Sequence, residues 1–243
     1  MTNWGRTMAK DAQRILVAGA SGSGKSTRVK ELTRRFNRVV VFDPMDEYEG
    51  EGFTRTTRIT GKHSVKEFLQ RGWARGFRIA YVPEDGNEAT ELHKLCQLLK
   101  AVQEPYRKCK KGLAIPKLVL LVEEINLSFP ETKLPKELVG FGNLCSRGRH
   151  YGIEIFGITQ RVAEVNTRFR GNANQAYFFR QEDHRDIQTI VSSLGPEWRN
   201  QIKQLQDHHY LKRQSGAITK GQNDFLSRGP ANQNRAPKKR RAA

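Results

Sequence analysis

The sequence predicts an α/β fold, with a mainly parallel central sheet flanked by helices, a short C-terminal hairpin and a disordered basic tail. Three observations predict it. Short apolar runs recur along the chain and alternate with segments of helical periodicity. A Gly/Ser-rich turn, Gly19 to Gly24, stands between the first such run and the first helical segment. The chain's 243 residues, 37% of them apolar, suffice for one large domain with a real core.

The elements follow in order. Residues 1–12 are a polar lead-in. Arg14–Ala18 is a short buried strand, and Thr27–Phe36 a helix with Val29, Leu32 and Phe36 on one face. Arg38–Phe42 is the second strand, closed by Asp43-Pro44. The region between Thr54 and Gly61 fits a short strand or a loop. Ser64 caps a helix running to Gly72, with Glu67 placed as in a capping box. Phe77–Val82 is a strand stopped by Pro83, and Glu88–Val102 an amphipathic helix. Lys117–Val122 and Ile153–Ile158 are further strands, separated by a loop and a helix near Lys136–Arg147. Gln175–Arg180 is a strand, followed by helices near Asp183–Leu194 and Pro196–Leu205 and a hairpin over Tyr210–Arg213 and Gly216–Lys220. Residues 13–226 therefore form one domain, and 227–243, rich in Pro, Asn and Arg, a disordered tail.

Charge narrows the partners. The 43 Lys and Arg against 25 Asp and Glu give +18, of which the tail supplies six cations and no acid, leaving +12 on residues 1–226. Such a field recruits polyanions, nucleic acid foremost. The densest clusters are Arg107, Lys108, Lys110 and Lys111 in a loop and Lys238, Lys239, Arg240 and Arg241 in the tail. DNA contact and a plain solvated charge run are equally open for the loop; the tail suits a flexible polyanion tether. No apolar run approaches the roughly 18 residues of a spanning helix, and no secretory leader is expected at the N-terminus. Three scattered cysteines give neither a disulfide framework nor a thiolate metal site, and the six histidines show no metal-ligand spacing.

Gly19-Ala20-Ser21-Gly22-Ser23-Gly24-Lys25-Ser26-Thr27 matches the phosphate-loop pattern G-x-x-x-x-G-K-[ST] and has the required setting between strand and helix. The glycines let backbone N–H groups curl around a β-phosphate, and the helix N-terminus adds a positive end. Lys25 reaches the β/γ oxygens and the Ser26 hydroxyl holds Mg²⁺, so ATP and Mg²⁺ are the expected cofactors. Hydrolysis needs two further carboxylate roles. Glu123 and Glu124 supply them at the carboxyl edge of an apolar strand: Glu123 on the metal side, Glu124 as the base that polarises water. Two acids capping a following helix are the bland alternative.

Several segments together resemble the FtsK-HerA superfamily of DNA-pumping P-loop ATPases, a RecA-like NTPase fold. Asp43-Pro44-Met45-Asp46-Glu47-Tyr48 is similar to its D-P-x-x-E-Y, and Arg147-Gly148-Arg149-His150-Tyr151-Gly152-Ile153 to its R-x-x-G-I. Thr159-Gln160-Arg161 looks like its T-Q-R, and Gly171–Arg180 like its N-A-N segment and strand. Two departures stand out: Glu123 occupies a position usually held by Asp, and Val162 one usually held by Pro. The match spans roughly residues 14–220, and the compact chain resembles the genome-packaging ATPases of membrane-containing icosahedral viruses of the tectivirus type.

That resemblance implies a homo-oligomeric ring, a hexamer, that packages double-stranded viral DNA with nucleotide between subunits. Capsid vertex or portal proteins are the implied partners. The implied location is the host cytoplasm during assembly, with retention at a virion vertex as a variant. Gln160 becomes the polar sensor at the tip of its strand beside the Glu123 strand, and Arg147 or Arg149 the finger reaching a neighbour's site, with Arg170 and Arg180 as fallbacks. Asp43 and Glu47 bridge to the metal's water shell or to a neighbour's arginine, or form a plain turn. Competing readings are a filamentous-phage ATPase of the zonular occludens toxin type that extrudes single-stranded DNA, a small-molecule kinase, and a DNA scaffold without turnover.

Overall fold

A computed structural model describes residues 12–108 and 115–224. Within them lie β1 (Arg14–Ala18), α1 (Lys25–Thr33), β2 (Arg38–Phe42), β3 (Thr54–Thr56), α2 (Val65–Gly72), β4 (Phe77–Tyr81), α3 (Glu88–Val102), α4 (Glu104–Lys108) and β5 (Leu118–Val122). After these come α5 (Ile125–Ser128), α6 (Gly140–Arg147), β6 (Ile153–Thr159), α7 (Thr167–Asn172), β7 (Gln175–Phe178), α8 (His184–Leu194), α9 (Arg199–Gln204), β8 (His209–Gln214) and β9 (Ala217–Gln222). Lys110, Lys111 and the tail residues Lys238, Lys239, Arg240 and Arg241 lie outside the described residues.

The strands form one sheet in the order β3-β4-β2-β5-β6-β1-β7-β8-β9. Its pairings are parallel from β3 through β7, and β7-β8 and β8-β9 are antiparallel. Strands buried on both faces must be apolar throughout, which is why β2 and β5 read as continuous runs in the sequence. Alternation sends Leu118, Leu120 and Val122 to one core with Leu95, Leu99 and Phe169. Val119 and Leu121 go to the other with Val29, Tyr48 and Tyr210. Each such side chain contributes about 1.5–3 kcal/mol by leaving water.

The capping expected at Ser64 is present: its hydroxyl accepts from the Glu67 backbone N–H at 3.3 Å. The helix near Lys136–Arg147 is shorter than expected. It begins only at Gly140, where a Cβ would meet the His93 carbonyl oxygen at 2.7 Å. Val139 just before it is 45% exposed, so the preceding residues have no apolar face to bury. The strand expected over Gln175–Arg180 ends at Phe178, and Pro196–Trp198 forms a 3-10 turn ahead of α9, whereas the hairpin strands run longer than expected, over His209–Gln214 and Ala217–Gln222. The sheet order matters most for function. β6 lies between β1, which carries the Gly/Ser loop, and β5, which carries the two glutamates, so the carboxyl ends of all three meet at one edge.

Candidate active site

The loop after β1 is strung between its neighbours: Gly19 N–H donates to the Thr159 carbonyl at 3.3 Å and Ala20 N–H to the Arg180 carbonyl at 2.8 Å. Gly24, the last loop residue, has φ 104°, a conformation that glycine adopts without a Cβ penalty. Side chains also close on the loop. The Ser23 hydroxyl and the Lys25 ammonium both donate to the Ala20 carbonyl, at 2.7 and 2.9 Å. Lys25 is buried, and burial pulls its pKa down while the Glu124, Glu123 and Glu47 carboxylates hold it up. Such a buried ammonium, resting on a neutral carbonyl at a helix N-terminus that has no acid in its first turn, suits a phosphate.

At the end of β5, Glu123 is 5% exposed, and its backbone N–H donates to the Phe42 carbonyl at 3.0 Å. Burial pushes its carboxyl up to about 7; the Tyr48 hydroxyl that donates to Glu123 Oε1 opposes this, and the Glu47, Glu124 and Asp43 carboxylates reinforce it. Tyr48 is presented by Asp43, whose two oxygens accept the Glu47 and Tyr48 backbone N–H groups at 3.0 Å each. Asp43 thus shapes the turn that follows β2. Glu124 has φ 39° and ψ 54°, a strained left-handed conformation for a residue with a Cβ. Its carboxylate accepts from Gln160 Nε2 at 3.0 Å and from the Gln160 backbone N–H at 3.4 Å. Beneath this pair, Thr159 Oγ1 donates to Asn126 Oδ1 at 2.8 Å.

The residues fit Mg²⁺. A carboxyl raised by burial among three other carboxylates marks a place short of positive charge. Ser26, first-turn residue of α1, and Glu123 are the side chains that would hold the ion, with phosphates and water completing its shell.

Residues 9–102 match the family model described as helicase HerA, central domain. That segment runs from β1 through α3 and includes the phosphate loop and the Asp43–Tyr48 turn. Solved structures extend the likeness beyond the matched segment. The genome packaging NTPase B204 of Sulfolobus turreted icosahedral virus 2, in complex with ATP-gammaS, is similar at TM-score 0.65 and 18% identity, covering 87% of this chain and 97% of that one. VirB4 of Thermoanaerobacter pseudethanolicus is similar at TM-score 0.62 and 12% identity, covering 90% and 91%. At these identities the likeness establishes the shared fold. No curated protein matches the chain.

In this fold, Lys25, Ser26, Glu123, Glu124 and Gln160 stand together at the carboxyl edge. Arg147 and Arg149 do not join them. They are exposed, form no salt bridge among the described residues, and precede β6, whose seven residues carry the chain about 20 Å to Gln160. The fallback arginines are engaged: Arg170 pairs with Glu131 at 3.0 Å, and Arg180 with Asp207 at 3.1 Å and with Glu182. Arg161 is likewise tied to Glu164, Asp183 and Asp186, each at 3.3 Å. Arg107, in α4, pairs with Glu104 and lies 5.8 Å from the Tyr151 ring, at the same end as Arg149, and Lys108 reaches Glu104 at 3.8 Å.

Four contacts escape the motif reading. Tyr48 stands inside the D-P-x-x-E-Y segment, so a signal existed for it. Asn126 had none. His208 and Asn223 come from the far hairpin to grip the loop: His208 N–H donates to the Ser23 carbonyl at 2.7 Å and Asn223 Nδ2 to the Gly24 carbonyl at 2.9 Å. His208, one of the six histidines without metal-ligand spacing, is thus seated against the phosphate loop.

Proposed function

We propose that the protein is an ATP-hydrolysing motor that drives double-stranded DNA into a viral capsid as a homo-oligomeric ring, with Mg²⁺ as its metal. The observation that carries this reading is the meeting of Lys25, Glu123, Glu124 and Gln160 at one edge while Arg147 and Arg149 stay exposed at the other. Two similar proteins lend support: B204 of Sulfolobus turreted icosahedral virus 2 is a genome packaging NTPase, and B204 of Sulfolobus turreted icosahedral virus is a DNA-packaging ATPase.

The chemistry follows from the geometry. Lys25 turns from the Ala20 carbonyl to the β/γ oxygens and offsets their charge. Mg²⁺, when bound, neutralises charge that develops on the phosphates. Glu124 accepts the proton of the attacking water, and must first leave Gln160, whose amide then orients that water without competing for its proton. Arg161 and Arg180, which follow β6 and β7, are already paired with acids, and the positive group for the transition state comes from a neighbouring subunit's Arg147 or Arg149.

The test is ATP turnover with and without duplex DNA on a preparation of known solution mass. An oligomer whose turnover rises with duplex DNA supports the motor. A DNA-indifferent monomer that phosphorylates a small acceptor would make it a kinase, and a nucleotide binder without turnover a scaffold.

A further inference from the structure

At the amino ends of β2 and β4, the sheet edge remote from the phosphate loop, lies an open cleft of about 450 Å³. Arg34 and Phe36 wall it from the end of α1, Thr54 from β3, and Arg75, Gly76 and Arg78 from the turn into β4. Three of its lining residues are arginine and none is an acid. Arg34 and Arg75 are exposed, and among the described residues none of the three arginines forms a salt bridge. Nearby cations do: Lys30 takes Glu51 at 2.6 Å and Arg71 takes Glu67 at 2.5 Å, so the adjacent acids are already used.

The cleft is held in shape. The Arg78 guanidinium lies 4.4 Å from the centre of the Phe53 ring. Phe77 N–H donates to the Asn37 carbonyl at 2.7 Å, and Gly76, with φ 105°, lets the turn press so close that a Cβ would meet the Asn37 carbonyl oxygen at 2.5 Å. Arginines lining an open, acid-free hollow suit an oxyanion, because their planar forks match phosphate oxygens. An open groove admits a polymer running through it, where a small ligand would be enclosed, and a membrane surface, being flat, meets a flat basic face better than a hollow.

We propose that this cleft binds the phosphodiester backbone of duplex DNA, Arg34, Arg75 and Arg78 each meeting a phosphate. The inference rests on the reading that the chain acts on DNA, and adds a contact surface apart from residues 107–111 and the tail. It also gives the contact a route to the nucleotide. α1 starts at Lys25 and ends beside Arg34, a rod of about 13 Å between the two anion sites.

The experiment is fluorescence anisotropy of a labelled duplex over a salt series with the full chain. Each phosphate contact contributes about 0.9 to the slope of log K against log salt, so Arg34→Ala/Arg75→Ala/Arg78→Ala should lower the slope by about 2–3. Lys62→Ala/Lys133→Ala/Lys203→Ala removes the same charge from exposed sites elsewhere and should leave it within about 1 of the wild type. If the triple variant does not fold, the exposed pair Arg34→Ala/Arg75→Ala carries the test, with an expected loss of about 2. A wild type that binds no duplex at any salt overturns the DNA reading itself. A wild type that binds, with equal slopes for cleft and control variants, overturns the cleft alone. Loss of binding to phosphatidylglycerol vesicles with duplex binding intact assigns the cleft to a membrane and overturns the proposal too.

Discussion

Glu123 makes the apo protein's stability depend on pH in a calculable way. Its carboxyl rises from an ordinary 4.5 to about 7, chiefly because it is buried. The native state therefore holds a proton that the unfolded chain has released between those values. Stability contributed by the protonated form is complete below pH 4.5, falls as pH rises, and is fully lost above 7. At 1.36 kcal/mol per pKa unit, the loss between pH 5 and pH 8 is about 2.5 kcal/mol, or a melting temperature lower by about 5–10 °C for a chain of this size. Glu123→Gln keeps an acceptor for the Tyr48 hydroxyl and removes the titration. Urea denaturation in EDTA without nucleotide, at pH 5 and pH 8, should show the variant losing about 2.5 kcal/mol less than the wild type. Adding Mg²⁺ and a non-hydrolysable nucleotide should close much of that gap in the wild type, by supplying the missing positive charge. Equal pH dependence in the two proteins would refute the reasoning that buries an uncompensated carboxyl at the end of β5.

Other perturbations address other links. Lys25→Ala should abolish nucleotide binding in calorimetry, while Glu124→Gln should keep binding and lower turnover by at least about 100-fold; retained turnover removes Glu124 as the base. Mixing Arg147→Ala/Arg149→Ala subunits, complete in Glu124, with Glu124→Gln subunits, complete in arginine, should restore part of the turnover that each lacks, and no rescue at any ratio means that the finger does not act between subunits. Gly24→Ala should destabilise the fold by about 1–3 kcal/mol and weaken nucleotide binding, because a Cβ at φ 104° would meet His208 Nδ1 at 2.7 Å; an unchanged melting temperature and affinity would show that the hairpin does not brace the loop.

How far the sequence alone reveals this site depends on the range of the interactions that build it. Gly19 to Thr27 is legible because a phosphate loop is local: strand, glycines, lysine and helix follow one another in the chain. Glu123 and Glu124 are nearly so, since an apolar run ending in acids points to a strand's carboxyl edge. Gln160 required the family pattern, because only the placement of β6 between β1 and β5 sets its amide on Glu124. The His208 and Asn223 clasp has no local signature. It depends on a hairpin that folds back from nearly 200 residues away, Asn223 and Gly24 being separated by 199 positions. The shortened α6 shows the opposite failure. Residues 136–139 read as helical by propensity, but without a face to bury they stay outside it.

The distribution of charge bears on how subunits of the proposed ring would meet. At the carboxyl edge the buried ammonium of Lys25 faces Glu47, Glu123 and Glu124, so the site is anionic before nucleotide arrives. The opposite edge carries the exposed Arg147 and Arg149. A two-fold interface places the same patch of both subunits together, and here would set acid on acid or arginine on arginine. A head-to-tail interface joins the deficit of one subunit to the surplus of the next, and a head-to-tail interface repeated through a closing rotation makes a ring. The same contact would complete the catalytic site, so that hydrolysis in each subunit requires its neighbour in place.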